Sequence, residues 1–271
     1  SVAQISLLIN TIFASFMITG SVSWLYYSDR LVEFPLGVFG VALATVILPS
    51  LSQKHAQASP VAFSHTLDWG LRWVMLVGMP ATVGLLVLAG PLLVTMFQYG
   101  KFGAHDVEMS SRSLMAYGLG LLAFMLIKVL APGFFARQDT RTPVRIGLIA
   151  LGVGLVVKFV LVFPLAHAGL ALSSSLVAFL NAGLLYRALR RAGVYTPASG
   201  WLRLMMQVVF ANTVMAALLW WGVGDWKSWA QWNAMERVMH LMLWVVAGMV
   251  SYFACLWITR VRYHHFRSKA K

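Results

Sequence analysis

Charge is scarce in this sequence. Only eight acidic residues occur in 271, and Asp, Glu, Lys and Arg together make up 11% of the chain. Soluble domains carry roughly a quarter. With 60% hydrophobic residues and a mean hydropathy of +0.77, the composition excludes a water-soluble globule. Cysteine is nearly missing too. Cys255 stands alone inside an apolar run, which excludes a disulfide framework and a thiolate metal site. HExxH, GxSxG and P-loop patterns are absent, and the seven histidines are scattered apart from His264 and His265 in a basic tail. Ser173 to Ser175 form a run without a base nearby, the kind of hydroxyl cluster that packs membrane helices together. Neither a catalytic residue nor a metal ligand is predicted.

What the chain has is long apolar runs near the ~20 residues that cross a bilayer as a helix. Eight spans are predicted, at residues 2–27, 32–51, 73–98, 113–136, 144–165, 169–189, 204–222 and 238–259. The alternation of a β-barrel is lacking, so helices must satisfy the backbone in lipid. The expected fold class is therefore all-α: a polytopic membrane protein of eight transmembrane helices, with no inserted soluble domain. QKHAQASP (53–60), YGKFGAHD (99–106) and RQDTRTPVR (137–145) punctuate the spans. The chain opens on Ser1 directly into a span, which leads us to expect a portion of a longer membrane protein.

Basic residues set the expected orientation. Fourteen of the 21 fall in the loops after spans 2, 4, 6 and 8 or in the tail, among them Lys54, Arg72, Arg137, Arg190 and Arg203. Five fall on the other side: Arg30, Lys101, Arg112, Lys227 and Arg237. The positive-inside rule then puts both ends of the chain in the cytoplasm. The net charge of +13 needs no nucleic acid, because anionic membrane lipids attract such loops and the tail RVRYHHFRSKAK. WWGVGDWKSWAQW (220–232) falls on the outer side and reads as an aromatic belt.

Charges inside the apolar runs are the candidate site. Lys128 and Lys158 each cost on the order of 2.5–3.5 kcal/mol in hydrocarbon. They face a cavity or a partner, or else reach an interface along their own stems. Asp29, Arg30 and Glu33 lie between spans 1 and 2. One reading is a short outer turn with an Arg30 ion pair at i,i+3 spacing, worth at most ~1 kcal/mol. The other makes Arg30 a clamp for a diphosphate, because a guanidinium stays protonated and donates two parallel hydrogen bonds.

The stretch DRLVEFPLGVFGVALATVILPSLS (29–52) resembles the signature after the seventh helix of the MurJ (MviN) family of lipid II flippases. FFARQDTRTPVRIG (134–147) resembles the same family's second motif, at a cytoplasmic turn. The resemblance covers the whole chain, as the last eight of fourteen helices. It implies the fold of the multidrug/oligosaccharidyl-lipid/polysaccharide exporter superfamily: residues 1–191 as the C-terminal six-helix lobe, and 192–271 as two additional helices with a basic cytoplasmic tail. It further implies a bacterial inner-membrane protein that moves undecaprenyl-diphosphate-linked lipid II outward by alternating access, partnered by an N-terminal six-helix lobe outside this chain. Arg30 matches a family arginine of a cationic cavity, with Asp29 and Glu33 beside it and Lys128 and Lys158 as further cations. Ala216, Ala217, Ala247, Gly248 and Ala254 would line a groove for the lipid tail, whereas on the residues alone they read as helix packing. No cofactor is implied; a coupling ion, or coupling to the membrane potential, stays unassigned, with Asn181 a further polar candidate. A drug/cation antiporter of the same superfamily would want an acidic cavity, which Arg30, Lys128 and Lys158 oppose. An intramembrane lipid-modifying enzyme would want an acid pair or a nucleophile and base.

Overall fold

The computed structural model describes the backbone of residues 2–259 and the side chains of residues 8–259. The basic tail from Arg260 onward lies outside the described residues. All regular structure among them is helical. Among the described residues, six segments are long and apolar enough to cross a membrane. One of them, Arg141–Arg191, is a hairpin: Ala166 leaves helical geometry (φ 48°, ψ −131°), a Cβ at Gly169 would run into the Leu161 carbonyl, and one at Gly154 would meet Val177. Residues so far apart along a straight helix touch only if the chain folds back. The expected spans 5 and 6 are thus the two arms of α8 (Arg141–Arg191). Helix α1 (Val2–Ser15) has 14 residues, fewer than the ~20 that cross a bilayer upright.

The first expected turn is corrected. The sequence reading broke the helix at 28–31, around the charges. The break is instead at Gly20, whose φ of 107° suits a residue without a Cβ and whose Cα packs under the Trp24 ring. From Ser21 the chain stays helical to Ala56, as α2 (Ser21–Pro35), a π-helical turn (Leu36–Val41) and α3 (Ala42–Ala56). Residues 28–31 hold neither Gly nor Pro. Ser28 donates to the carbonyls of Trp24 and Ser110, at 2.7 and 2.8 Å, tying α2 inward. Pro35 removes one backbone donor, and the register widens over the six residues that follow.

The next helices begin earlier than their apolar runs. Helix α4 (Pro60–Val87) starts at Pro60 rather than at 73, with proline in the first turn where its missing N–H costs nothing. A bend at Leu88 leads into α5 (Ala89–Phe97). Helix α6 (Ala104–Leu130) starts nine residues before the predicted span, secured by the Asp106 carboxylate, which accepts from the Gly103 N–H at 2.9 Å. Arg72 and Arg112, expected in loops, are therefore inside helices.

Helix α6 is the hub, packing against α2, α4, α5 and α8. Its close approach to α8 needs Gly120, where a Cβ would press on the Ser175 backbone. The short α7 (Pro132–Phe135) continues it to the turn at 137–140. There Asp139 accepts from the backbone N–H of Thr142 at 3.0 Å and from its hydroxyl at 2.7 Å. Those bonds hold the Asp139 carboxyl below its ordinary pKa.

After residues 192–200, α9 (Trp201–Val223), α10 (Trp226–Trp229) and α11 (Ala234–Ile258) complete the chain. Asn233 and Glu236 exchange reciprocal 2.9 Å bonds that cap α11. Arg237, expected in an outer loop, is buried in the first turn of α11. It donates to the carbonyls of Ala230, Trp232, Val94 and Gln98, the last two at the C-terminal end of α5. The tryptophan cluster divides: Trp220 and Trp221 are exposed, as a belt requires, but Trp229 is 1% exposed and donates to the Val223 carbonyl.

Candidate functional site

Arg30 lies nine residues into α2, about 13 Å from its start at 1.5 Å per residue. The inward stripe of α2 is Trp24, Leu25, Ser28, Leu31 and Val32, all buried. The opposite stripe, Tyr26, Arg30, Glu33, Phe34, Gly37 and Val38, is exposed. Its helical spacing gathers these side chains on one face that no other described element covers.

On that face Arg30 Nη1 donates to Glu33 Oε2 at 2.8 Å, with the two side chains 56% and 50% exposed. The guanidinium carbon sits 4.9 Å from the centre of the Tyr26 ring. One nitrogen is committed to Glu33. The Tyr26 side chain also bonds to the guanidinium, and the N–H groups of this half-exposed fork that Glu33 and Tyr26 leave over can grip a second anion. The i,i+3 ion pair foreseen in the sequence is present, but on a helix rather than in a turn. Asp29 stands within electrostatic range of both Arg30 and Glu33 but turns toward the bundle. It is half-buried and lies within electrostatic range of Tyr117 on α6, whose hydroxyl accepts from Asn10 at 3.4 Å.

The other predicted cations are not gathered around Arg30. Lys128 is exposed near the end of α6, with its Cγ beside Gly40 of the π-helical turn. Lys158 is 2% exposed, in the first arm of α8 next to Phe159, whose ring meets Phe13 edge-on. Of the groove residues, Gly248 is buried, and a Cβ there would crowd the Leu219 side chain of α9 at 3.3 Å. Ala216 and Ala247 are half-buried; Ala217 and Ala254 are exposed. The buried Oδ1 of Asn181 has no hydrogen-bond partner among the described residues. No His, Cys, Asp and Glu group that could hold a metal occurs among the described residues.

Sequence reasoning missed the strongest polar cluster. Asp68 and Arg72, one turn apart on α4, pair at 2.6 Å with both side chains about 5% exposed. Asp68 Oδ1 also accepts from Tyr195 Oη (2.8 Å), Trp201 Nε1 (2.7 Å) and Ala198 N (3.1 Å). Arg72 donates to the Ser199 carbonyl at 2.8 Å and lies over the Trp201 ring. Burial and donation to Asp68 push the Tyr195 phenol far above its ordinary pKa. This network clamps 192–200 onto α4. Its signal was present as an Asp-x-x-x-Arg pair at i,i+4 spacing, hidden because both residues were assigned to a loop.

A helical bundle with six membrane-length segments among the described residues, one of them carrying a charged and uncovered face, marks a multi-spanning membrane protein. The family described as "Lipid II flippase MurJ" matches residues 1–243. The chain belongs to that family. It is 48% identical to the "Probable lipid II flippase MurJ" of Vibrio cholerae over 262 residues, covering 97% of this chain and 50% of the relative. To the "Lipid II flippase MurJ" of Burkholderia cenocepacia it is 45% identical over 273 residues, covering 100% and 53%. The solved structure "Lipid II flippase MurJ, inward closed conformation" superposes with a TM-score of 0.81 at 21% identity, over 96% of this chain and 51% of that one. That likeness shows the fold. The chain spans about half the length of the curated relatives it matches.

Proposed function

We propose that this chain is the C-terminal part of a flippase that carries lipid II from the inner to the outer leaflet of the bacterial inner membrane by alternating access. The observation that carries the reading is the uncovered Arg30–Glu33 pair on a helical segment, Ser21–Ala56, long and apolar enough to cross the membrane; we place the pair within the bilayer. An arginine there facing lipid costs on the order of 3 kcal/mol, so such residues line water-filled cavities or meet partners. A polar diphosphate, sugar and peptide head cannot cross bare hydrocarbon, because each unpaired buried charge carries a large desolvation penalty. Arg30 grips the diphosphate with its free N–H groups, Glu33 holds the fork in place, and Asp29 sits behind them.

Residues 1–191 act as one six-helix lobe and 192–271 as the added pair. Helices α9 and α11 pack more on each other than on any helix of residues 1–191, which supports that division. The wall facing Arg30 belongs to an N-terminal lobe outside this chain, and rocking of the lobes moves the opening from one leaflet to the other. Both ends of the chain lie in the cytoplasm, where anionic lipids meet the basic loops. Lys128 and Lys158 add positive charge to the lobe. The small residues of α9 and α11, with Ala217 and Ala254 exposed, accommodate the lipid tail. Translocation breaks no covalent bond, so the reading requires no nucleophile, and it assigns no cofactor and no coupling ion.

Reconstitution tests it. Full-length protein in vesicles loaded with lipid II in the inner leaflet should make the head groups reachable by a membrane-impermeant reagent outside, faster than in protein-free vesicles. Equal rates with and without protein would defeat the proposal.

A further inference from the structure

The turn regions QKHAQASP and RQDTRTPVR, noted above only as breaks between helices, meet at the end of the bundle opposite Gly20. The last turn of α3, the first of α4, the residues after α7 and the turn after α8 enclose a cleft of about 380 Å³. Its lining includes Lys54, His55, Ser59, Phe63, Arg137 and Gly193. The volume falls in the ~300–1,000 Å³ range of small-molecule sites. Lys54 lies 24 residues beyond Arg30 on the same helical segment, about 36 Å away at helical rise. The cleft is thus remote from the charged face of α2.

Three cationic or protonatable side chains converge here from two separate stretches of chain. Neither Lys54 nor Arg137 makes an ion pair among the described residues, and the His55 ring meets only Phe63, edge-on at 6.4 Å. The nearest carboxylate in sequence, Asp139, accepts from Thr142 and lies within electrostatic range of Arg137. Asp68, the acid of α4, is spent on Arg72. The Ser59 hydroxyl is not used to cap α4. One carboxylate cannot balance Lys54 and Arg137 together, and an anion with several acceptor oxygens relieves the remaining repulsion while accepting their donors.

We infer that this cleft is a second anion site that binds a phosphate ester, supplied by a lipid head group at the membrane surface or by a soluble phosphate. It does not rest on the translocation reading, and either can fail without the other.

The test uses full-length protein carrying Arg30→Ala, so that the two anion sites are not confused. In phosphatidylcholine nanodiscs, inorganic pyrophosphate is titrated by thermophoresis. In nanodiscs containing phosphatidylglycerol, the lipids retained are counted by native mass spectrometry. Lys54→Gln with Arg137→Gln is compared with Lys101→Gln and Arg203→Gln, two exposed cations elsewhere. The cleft variant should lose at least about tenfold in one arm while the control does not, as expected for removing charged partners from an enclosed anion. A loss confined to the phosphatidylglycerol arm identifies a lipid head group, and a loss in the pyrophosphate arm a soluble phosphate. If the double variant does not fold, Arg137→Gln alone is read in the same way. Equal responses of cleft and control variants, or no binding in either arm before the cleft is altered, would overturn the inference.

Discussion

Full-length protein carrying Arg30→Ala should reach the membrane at normal levels yet fail to support growth of cells depleted of their own flippase. The two halves of that result follow from the same geometry. Arg30 is more than half exposed and its partner Glu33 half exposed, so the pair contributes at most about 1 kcal/mol to stability. Folding should barely notice its loss. The diphosphate, by contrast, would lose its guanidinium fork. A charge-assisted hydrogen bond is worth about 1.5–3 kcal/mol, and loss of a bidentate pair compounds that to roughly a hundredfold or more in rate. Arg30→Lys keeps the charge but loses the fork and should restore growth only in part. Glu33→Gln keeps the size and weakens the positioning, with a smaller defect. Growth and membrane abundance, measured side by side, check all three. Normal growth of the alanine variant at low abundance would place the site elsewhere.

The largest effect on stability should come from Asp68. Asp68→Ala leaves Arg72 buried without its partner and strands the donors of Tyr195, Trp201 and Ala198. Breaking a buried pair by removing one member costs about 3–5 kcal/mol. Tyr195→Phe removes a single bond and should cost about 1–3 kcal/mol. Thermal unfolding of the purified full-length protein measures both. Because the network holds the connection before α9, limited proteolysis of Asp68→Ala should cut first within 192–200. Unchanged melting in both variants would show that this connection is held some other way.

Much of the helical architecture was legible in hydrophobicity alone, because lipid forces the backbone to bond within each segment. The hairpin at Ala166 falls in the gap predicted between the spans at 144–165 and 169–189. What misled was charge. Asp29, Arg30 and Glu33 looked like a loop, yet spacing of i,i+3 lets Arg30 and Glu33 pair on a helix, and Gly20 was the true stop. Asp68, Arg72 and Arg237 looked like loop residues for the same reason. A buried cation surrounded by carbonyls, as Arg237 is, leaves no trace in linear sequence, since its acceptors are backbone atoms of α5 and of the turn before α11. Of the proposed site, Arg30 and Glu33 were legible as a pair. The inward turn of Asp29 and the positions of Lys128 and Lys158 on other helices depend on which way each helix turns, which spacing alone did not decide.

The central claim is that the uncovered face of α2 lines water rather than lipid. Single cysteines at Phe34, Gly37 and Val38, in full-length protein carrying Cys255→Ser, would be offered a water-soluble maleimide from both sides of the membrane. The account predicts rapid labelling at all three, with Leu31 on the buried stripe unreactive. Labelling at none of the three would mean that the face meets lipid or packed protein, and Arg30 could not then receive a diphosphate.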